Sequence, residues 1–341
     1  MTVGHDPGAL RSDGPILVAQ DIARSYGSRI ALRSLSLSLR SGRVLGFLGP
    51  NGAGKTTAIR VLTTILEPTA GRFEVDGIGS DRPVEIRRRI GVLPEALGFP
   101  KNTSGIDYLT FFGQLFGRHA AAARRTGHEL LAEVGLQNRA ESLVGTYSHG
   151  MRQRLGIARA LVNEPRVVFL DEPTLGLDPR GQRELLALIQ RIARERNAGV
   201  VLSSHLLNEI EGICDDVVIL NAGQVVAKGT VAEVIGGSAA GGEHQNVLRI
   251  RVPAALLGSA QRILERAPGV GQVAVADVVA GWITAEIDTI GGAAGATPDV
   301  GRLRNGILAA LIAEDIPLLA VESGAGRLQD VFLQLTAEAI G

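Results

Sequence analysis

The sequence predicts an α/β fold with a largely parallel, buried sheet, followed by a second and smaller domain. Short apolar runs alternate with helical stretches from Ile16 to about Ile235; the runs include Val44–Leu48, Val167–Leu170, Val200–Leu202 and Val217–Leu220. Strands that are buried on both faces give continuous apolar runs, and their alternation with helices is typical of parallel sheets. The length of 341 residues exceeds what one small domain needs, and a glycine-rich stretch marks a division of the chain.

The first domain is expected over residues 15–235, after a loose tail at residues 1–14 that is rich in Gly, Pro and Asp. Between about residues 97 and 161 the apolar pattern changes to the spacing of helices. This spacing is followed by Ile106, Leu109, Phe112 and Leu115, and again by Leu155, Ala158 and Leu161. We therefore predict a helical subdomain inserted into the α/β domain.

The second domain is expected at residues 246–341, behind a low-complexity linker at residues 236–245. Strand-like and helix-like segments follow one another in the order β-α-β-β-α-β, which is that of a ferredoxin-like module. The segments are Leu248–Val252, Ala254–Arg266, Val270–Val275, Trp282–Ile287, Arg302–Ala313 and Leu318–Val321. The glycine-rich stretch Gly291–Asp299 is interpreted as a flexible insertion.

The composition limits the possible classes of function. Lys+Arg and Asp+Glu both number 35, so the formal net charge is zero and a broad nucleic-acid-binding field is not indicated. The single cysteine, Cys214, allows no internal disulfide and agrees with a reducing cytoplasm. No stretch reaches the roughly 18 uncharged apolar residues of a membrane-spanning helix. We expect a soluble chain, or one that is held at a membrane by a partner.

A glycine-rich motif follows the first apolar run and predicts a phosphate site. The segment Gly49–Thr57 has the sequence Gly-Pro-Asn-Gly-Ala-Gly-Lys-Thr-Thr, which matches G-x-x-x-x-G-K-[ST]. The glycines let the backbone approach an anion closely, and the N–H groups of the loop and the following helix point at phosphates. Lys55 would bring a positive charge near the β- and γ-phosphates, and Thr56 would offer a hydroxyl to Mg²⁺.

Two carboxylates end another apolar run. Val167–Leu170 is followed at once by Asp171 and Glu172, although isolated carboxylates are costly to bury. Asp171 suits the coordination shell of Mg²⁺, through water, and Glu172 suits the polarisation of an attacking water. The alternative is that both residues simply leave the strand for a turn, but the phosphate motif favours the functional interpretation.

Further segments resemble motifs of the ABC family of ATPases. Tyr147–Arg154, with the sequence Tyr-Ser-His-Gly-Met-Arg-Gln-Arg, resembles the family's signature motif. Pro173–Asp178 resembles the D-loop, and Ser203–His205 resembles the segment of the switch histidine. Tyr26 is placed like the aromatic residue that stacks on adenine. The resemblance covers about residues 16–235, with the elements in the family's order.

This resemblance implies a site for ATP and Mg²⁺. Residues that would bind ATP are Tyr26, Gly49, Pro50, Asn51, Gly52, Ala53, Gly54, Lys55, Thr56, Thr57, Ser148, Gly150 and Asp178. Thr56, Glu95 and Asp171 would hold Mg²⁺, and Glu172 and His205 would be catalytic. Glu95 departs from the family's usual glutamine at this place. His149 lies where family members vary and is interpreted as non-catalytic.

The resemblance also implies partners. Two ATPase domains would meet head to tail as a homodimer, so that Ser148 and Gly150 of one chain reach the ATP held by the other. Separation of the dimer after hydrolysis would drive an integral membrane permease, which would be a separate chain. The protein would then sit at the cytoplasmic face of the cell membrane, and no nucleic acid partner is expected.

A segment near residue 341 indicates which subfamily of ABC ATPases the chain resembles. The segment Arg327–Thr336 resembles the close of the ATPases of ABC-2 type drug and antibiotic exporters, although an amphipathic helix explains it equally simply. The alternative function is a soluble ABC ATPase that acts on ribosomes or nucleic acid. Such members usually have two ATPase domains, long coiled coils or zinc-binding cysteines, which this sequence lacks. A purely regulatory nucleotide-binding module is disfavoured, because Lys55, Asp171, Glu172 and His205 are all present.

Overall fold

The computed structural model divides into two compact units, with the division between Val231 and Ala232. It describes residues 14–96, 98–204, 206–237, 247–287 and 300–324, together with Leu328, Val331 and Phe332. Each unit has its own sheet and its own hydrophobic core.

The first unit is built on a mixed sheet of ten strands. In chain order these are β1 (Leu17–Tyr26), β2 (Arg29–Leu39), β3 (Val44–Leu48), β4 (Ala70–Val75), β5 (Ile78–Gly79), β6 (Ile90–Leu93), β7 (Val167–Asp171), β8 (Gly199–Ser204), β9 (Asp216–Asn221) and β10 (Gln224–Thr230). Their order across the sheet is β5-β4-β1-β2-β10-β9-β3-β8-β7-β6. The predicted α/β class is confirmed.

The parallel part of the sheet consists of the neighbours β9-β3-β8-β7-β6. It contains all four apolar runs named from the sequence, and β3, β7 and β8 are buried along their whole length. Parallel strands end at the same edge of a sheet, and ligands of α/β proteins bind outside that edge. The loops that follow β3, β6, β7 and β8 therefore meet where a site is expected.

The remaining strands extend the sheet in a mainly antiparallel way. β1 pairs with β2 and with β4, and β10 pairs antiparallel with β9. In β2, buried and exposed residues are interspersed, so that it has no continuous apolar run. Strands with one solvated face lack a continuous apolar run. The apolar runs alone therefore indicate a smaller sheet than the one observed.

The helices of the first unit follow the predicted plan. They are α1 (Lys55–Leu62), α2 (Pro83–Arg87), α3 (Gly105–Leu115), α4 (Ala120–Glu133), α5 (His149–Ala160), α6 (Pro179–Arg196) and α7 (Leu207–Ile213). α3, α4 and α5 lie between β6 and β7, where the sequence predicts a helical subdomain. Side-chain caps begin three of the helices: Ser104 caps α3, Ser148 caps α5 and Asp178 caps α6.

The second unit follows α8 (Val231–Gly237). Its elements are β11 (Val247–Arg251), α9 (Leu257–Arg266), β12 (Val270–Asp277), β13 (Trp282–Ile287), α10 (Val300–Ala313) and β14 (Ala320–Gly324). The sheet order is β12-β13-β11-β14, and every neighbouring pair is antiparallel. The element order is thus β-α-β-β-α-β, with the first and third strands side by side in the middle of the sheet. Leu248, Ile250, Leu264, Ile283 and Leu311 belong to its buried core.

The connection between the two units differs slightly from the sequence-based expectation. α8 extends to Gly237, two residues into the segment expected as a linker, since glycine is well tolerated where a helix ends. The rest of that linker, residues 1–13 of the expected tail, the stretch Gly291–Asp299 and most of the segment 327–336 lie outside the described residues. In the described part of the chain, no helix has both the length and the apolar character to cross a bilayer.

Candidate nucleotide site

The phosphate loop joins the end of β3 to the start of α1, and its glycines have backbone positions that other residues would not fit. Gly49 has a φ of 155°, and a Cβ there would lie 2.3 Å from the carbonyl oxygen of Leu220. Gly54 has a φ of 109°, and a Cβ there would lie 2.8 Å from the carbonyl oxygen of Ala31. The loop is thereby pressed against the neighbouring backbone, which fixes the direction of its N–H groups.

Lys55 places a buried cation at this loop. Its side chain is only 7% exposed, and Nζ donates a hydrogen bond of 2.6 Å to the carbonyl oxygen of Gly49. The same Nζ lies 3.7 Å from a carboxylate oxygen of Glu172. The two motifs predicted from the sequence, the glycine loop and the carboxylate pair, are therefore in direct contact.

The second carboxylate of that pair belongs to a hydrogen-bonded group. An oxygen of Asp171 accepts a 2.6 Å hydrogen bond from the hydroxyl of Ser203 and lies 3.4 Å from Oγ1 of Thr56. The Ser203 hydroxyl oxygen in turn accepts a 2.9 Å hydrogen bond from the backbone N–H of Glu172. Ser203 thus holds the carboxylate of Asp171 and the backbone of Glu172. No motif predicts a separate role for Ser203, and the available signal is its position near the end of β8, opposite Asp171 on β7.

The backbone of Glu172 is strained. Its φ of 49° is in the left-handed region, which is uncommon for residues other than glycine. Such a conformation costs about 1–3 kcal/mol and is found mainly where surrounding structure enforces it, often at functional sites. Here the strain turns the chain directly after the strand end, so that the Glu172 side chain faces Lys55 while Asp171 stays buried.

A cleft of about 900 Å³ lies in front of the phosphate loop. Its volume is in the range of small-molecule sites in proteins. The predicted residues that line it are Tyr26, Pro50, Asn51, Gly52, Ala53, Gly54, Lys55, Thr56, Thr57, Glu95 and Glu172. Lining residues that sequence analysis missed are Arg29, Ile30, Ala31, Arg33, Arg60, Leu175, Ala222 and Gly223. Most of the missed residues come from β2 and from the β9–β10 turn, which have no sequence motif.

Tyr26 stands at the rim of the cleft, at the last position of β1. Its side chain is partly open to solvent, with 44% relative exposure of the residue. The guanidinium of Arg24 lies 5.0 Å from the centre of its ring, and Arg24 also donates to the carbonyl oxygen of Glu67. This cation–π contact helps to hold the ring in its position at the rim.

Glu95 also lines the cleft, two residues after the end of β6. It is exposed and therefore well hydrated. Glu95 therefore lies at the cleft, and its expected contact with Mg²⁺ stays a prediction.

Gly49 and Asp171 lie directly behind the lining of the cleft, through their contacts with Lys55 and Thr56. Three other predicted residues, Ser148, Gly150 and Asp178, do not line the cleft of their own chain. Ser148 accepts a 3.2 Å hydrogen bond from the N–H of Met151 as the cap of α5, and Asp178 accepts from Gly181 as the cap of α6. Before Ser148, the Tyr147 hydroxyl donates a 2.6 Å bond to the carbonyl oxygen of Arg139, and burial raises the pKa of this phenol. His205 lies outside the described residues.

The residues of the cleft fit a nucleoside triphosphate with Mg²⁺. A polyanion matches the loop N–H groups, the N-terminus of α1 and the buried Lys55. Mg²⁺ prefers oxygen ligands and is usually held by one or two carboxylates together with substrate phosphates. Thr56 and Asp171 supply such oxygens side by side. Fold and site together define a nucleotide-binding ATPase of the P-loop class.

Comparisons with known proteins identify the family. A family model described as ABC transporter matches residues 32–175. The chain is 42% identical to the bacitracin transport ATP-binding protein BcrA of Bacillus licheniformis, over 62% of this chain and 68% of that protein. It is 36% identical to the daunorubicin resistance ATP-binding protein DrrA3 of Streptomyces coeruleorubidus, over 92% of this chain and 94% of that protein.

A solved structure described as the ATP-binding subunit of an ABC transporter matches with a TM-score of 0.58 and 31% identity, over 66% of this chain and 93% of that one. The chain belongs to the ABC transporter family of ATP-binding proteins. It is an ATP-binding subunit with ATPase activity, and the resemblance seen in its motifs is confirmed.

Proposed function

We propose that this chain hydrolyses MgATP within a head-to-tail dimer and so powers the export of an antibiotic-like compound through a separate membrane permease. One observation carries the catalytic part of this proposal. Lys55, Thr56 and Glu172 line one cleft, and Asp171 contacts Thr56 directly behind it. Ser148, at the start of α5, lies outside that cleft. One chain therefore presents two unlike halves of a site.

Within the cleft, the residues have distinct chemical roles. The loop N–H groups and Lys55 hold the phosphates, because their partial and full positive charges face the place where negative charge develops. The Glu172 carboxylate accepts a proton from the attacking water. Asp171, Thr56 and Glu95 would hold Mg²⁺, which when bound neutralises charge on phosphate oxygens. Tyr26 stacks on the base, and a catalytic role is assigned to His205 by the family resemblance alone.

The second half of each site comes from the other chain. The N-terminus of α5 offers backbone N–H groups and the Ser148 hydroxyl, which suit an anion. Ser148 and Gly150 of one copy would face the phosphates bound by the other, with Asp178 near the same junction. A closed dimer of two identical chains then contains two equivalent sites.

The descriptions of the relatives favour an exporter as the transport system that this chain serves. BcrA is described as a bacitracin transport protein and DrrA3 as a daunorubicin resistance protein. The match to DrrA3 includes both units of the present chain, so the likeness is not confined to the ATPase part. We place the chain at the cytoplasmic face of the membrane, bound to its permease. The alternative, an ATPase acting on ribosomes or nucleic acid, has no comparable support.

The test of this proposal is phosphate release by the purified chain, alone and with a membrane protein encoded beside its gene. Lys55→Ala should lower the rate by about 10²- to 10³-fold, because no other cation replaces its charge in the loop. Glu172→Gln should bind ATP, fail to hydrolyse it and accumulate as a dimer in size-exclusion chromatography. Substantial hydrolysis by either variant would overturn the assigned roles, and stimulation by RNA instead of the membrane protein would favour the alternative.

A further inference from the structure

We propose that His149 is a positioning residue that ties the start of α5, and with it Ser148, to the loop that follows Glu172. This inference rests on the proposed dimer, in which Ser148 serves the nucleotide of the partner chain. His149 lies at a contact between α5 and the loop after Glu172, not at reacting atoms, so its proposed role is not a catalytic one.

The contact is a hydrogen bond between a side chain and the backbone. Nε2 of His149 lies 2.8 Å from the carbonyl oxygen of Leu175. A carbonyl oxygen only accepts, so Nε2 must bear the hydrogen and donate it. Both the neutral Nε2–H tautomer and the doubly protonated ring can do so, and the bond therefore does not require a particular charge on His149.

The surroundings of the ring support a defined position. Gly176 has a φ of 78°, and a Cβ on it would lie 3.4 Å from Nε2 of His149, so the ring lies closely beside this glycine. One residue further along α5, a Cβ on Gly150 would lie 3.4 Å from the Leu177 side chain. The first turn of α5 therefore contacts the loop 173–178 at successive residues.

The contact between His149 and Leu175 connects the chain's own nucleotide cleft with Ser148, which lies outside that cleft. Leu175 lines the chain's own cleft, three residues after Glu172. Ser148 adjoins His149 but lies outside that cleft. A displacement of the loop 173–178 by the nucleotide in the chain's own cleft is therefore transmitted to Ser148, which would face the nucleotide bound by the partner chain. The hydrogen bond from His149 to Leu175 couples the two parts, because a hydrogen bond depends strongly on distance and angle.

Arg154 makes a second connection at the next turn of α5. It donates to a carboxylate oxygen of Glu184 on α6 at 3.1 Å and to the carbonyl oxygen of Val134 at 3.1 Å. This contact holds α5 against α6, but it lies more than one helical turn beyond Ser148. Loss of the His149 bond should consequently loosen the first turn of α5 and leave the helix in place.

The experiment compares His149→Ala and His149→Gln, with His128→Ala as the matched control. Gln retains an N–H donor, whereas Ala removes it; His128 is an exposed histidine on α4. In the Glu172→Gln background, we measure the ATP concentration that half-saturates dimer formation by light scattering. Binding of a fluorescent ATP analogue to monomer at low protein concentration and Tm report separately on the cleft and on folding.

For His149→Ala we expect dimerisation to need about 2- to 10-fold more ATP, from the usual contribution of one hydrogen bond. Analogue binding by the monomer and Tm should match the parent, and His149→Gln should recover most of the loss. The inference is overturned if His149→Ala dimerises like His128→Ala, or if Gln is impaired as much as Ala. If the parent itself forms no ATP-dependent dimer, the proposed function fails, and this result is distinct from the other two.

Discussion

At the scale of single residues, two adjacent carboxylates acquire different chemistry from their neighbours. Asp171 is buried and accepts a hydrogen bond from the Ser203 hydroxyl beside Thr56, so the position of its carboxylate is fixed. Glu172 turns out of the strand with a left-handed φ and faces Lys55 at 3.7 Å. Its carboxylate borders the cleft, where a water can approach. The strain at one backbone position thus turns two adjacent carboxylates in different directions, as their proposed roles of metal ligand and general base require.

Glu95 gives a test at the same scale. A carboxylate in the cleft repels the triphosphate unless Mg²⁺ lies between them. Nucleotide affinity should therefore depend more steeply on Mg²⁺ in the parent than in Glu95→Gln, which keeps ATP binding and some hydrolysis. Glu95→Ala should impair coupling to transport more than it impairs nucleotide binding.

The measurement for Glu95 is a titration of nucleotide affinity against Mg²⁺ for the parent, Glu95→Gln and Glu95→Ala. Glu85→Gln provides a control, because Glu85 is a similarly exposed carboxylate on α2 that does not line the cleft. Superimposable curves for all proteins would show that Glu95 does not sense the metal.

At the scale of elements, α5 is held in place from its far end. Gly91 in β6 has no side chain, and a Cβ there would lie 1.9 Å from the carbonyl oxygen of Ala160, the last residue of α5. The strand and the helix that carries Ser148 can approach only because this position is glycine. The obstructing atom belongs to the backbone and cannot rotate away.

Gly91→Ala should therefore shift α5 and destabilise the first unit. Overpacking of this kind costs about 1–3 kcal/mol, which lowers Tm by about 2–10 °C in a domain of this size. Gly212→Ala is the control, since Gly212 lies in α7 with nothing within 4 Å of an added Cβ. Equal Tm values for the two variants in thermal unfolding would contradict this account of the packing.

The sequence predicts some elements better than others, for physical reasons. β3 and β7 are buried on both faces and end in motifs, so their apolar runs and the residues that follow them, such as Lys55 and Asp171, can be identified directly. β2 is partly solvated, and its contribution of Arg29 and Arg33 to the cleft depends on pairing with strands far away in sequence. Such contacts leave no local pattern.

At the scale of the whole molecule, the two units are chemically unequal. Among the residues that the structure describes, those that line the cleft lie between Tyr26 and Gly223, and the second unit has a separate core. We therefore predict that a chain truncated after Ile235 still binds ATP with an affinity close to that of the full chain. Isothermal titration calorimetry on both proteins measures this, after circular dichroism has shown that the shorter chain is folded. A folded chain without ATP binding would refute the separation.

The head-to-tail dimer makes the most distinctive prediction for the whole assembly. Lys55→Ala damages only the half-site of its own chain. Ser148→Asp keeps a residue type that caps α5 but directs a negative charge toward the partner's nucleotide. A mixed dimer of the two variants then has one site with both defects and one intact site, which joins Lys55 of one chain to Ser148 of the other.

ATP hydrolysis by an equimolar mixture of these two variants tests the central claim most directly. Each variant alone should be almost inactive, also when its concentration equals the total protein concentration of the mixture. The mixture should regain up to about one quarter of the parent's activity, because half of its dimers are mixed and each of these has one intact site of two. A mixture that is no more active than its separate components would contradict a site shared between two chains.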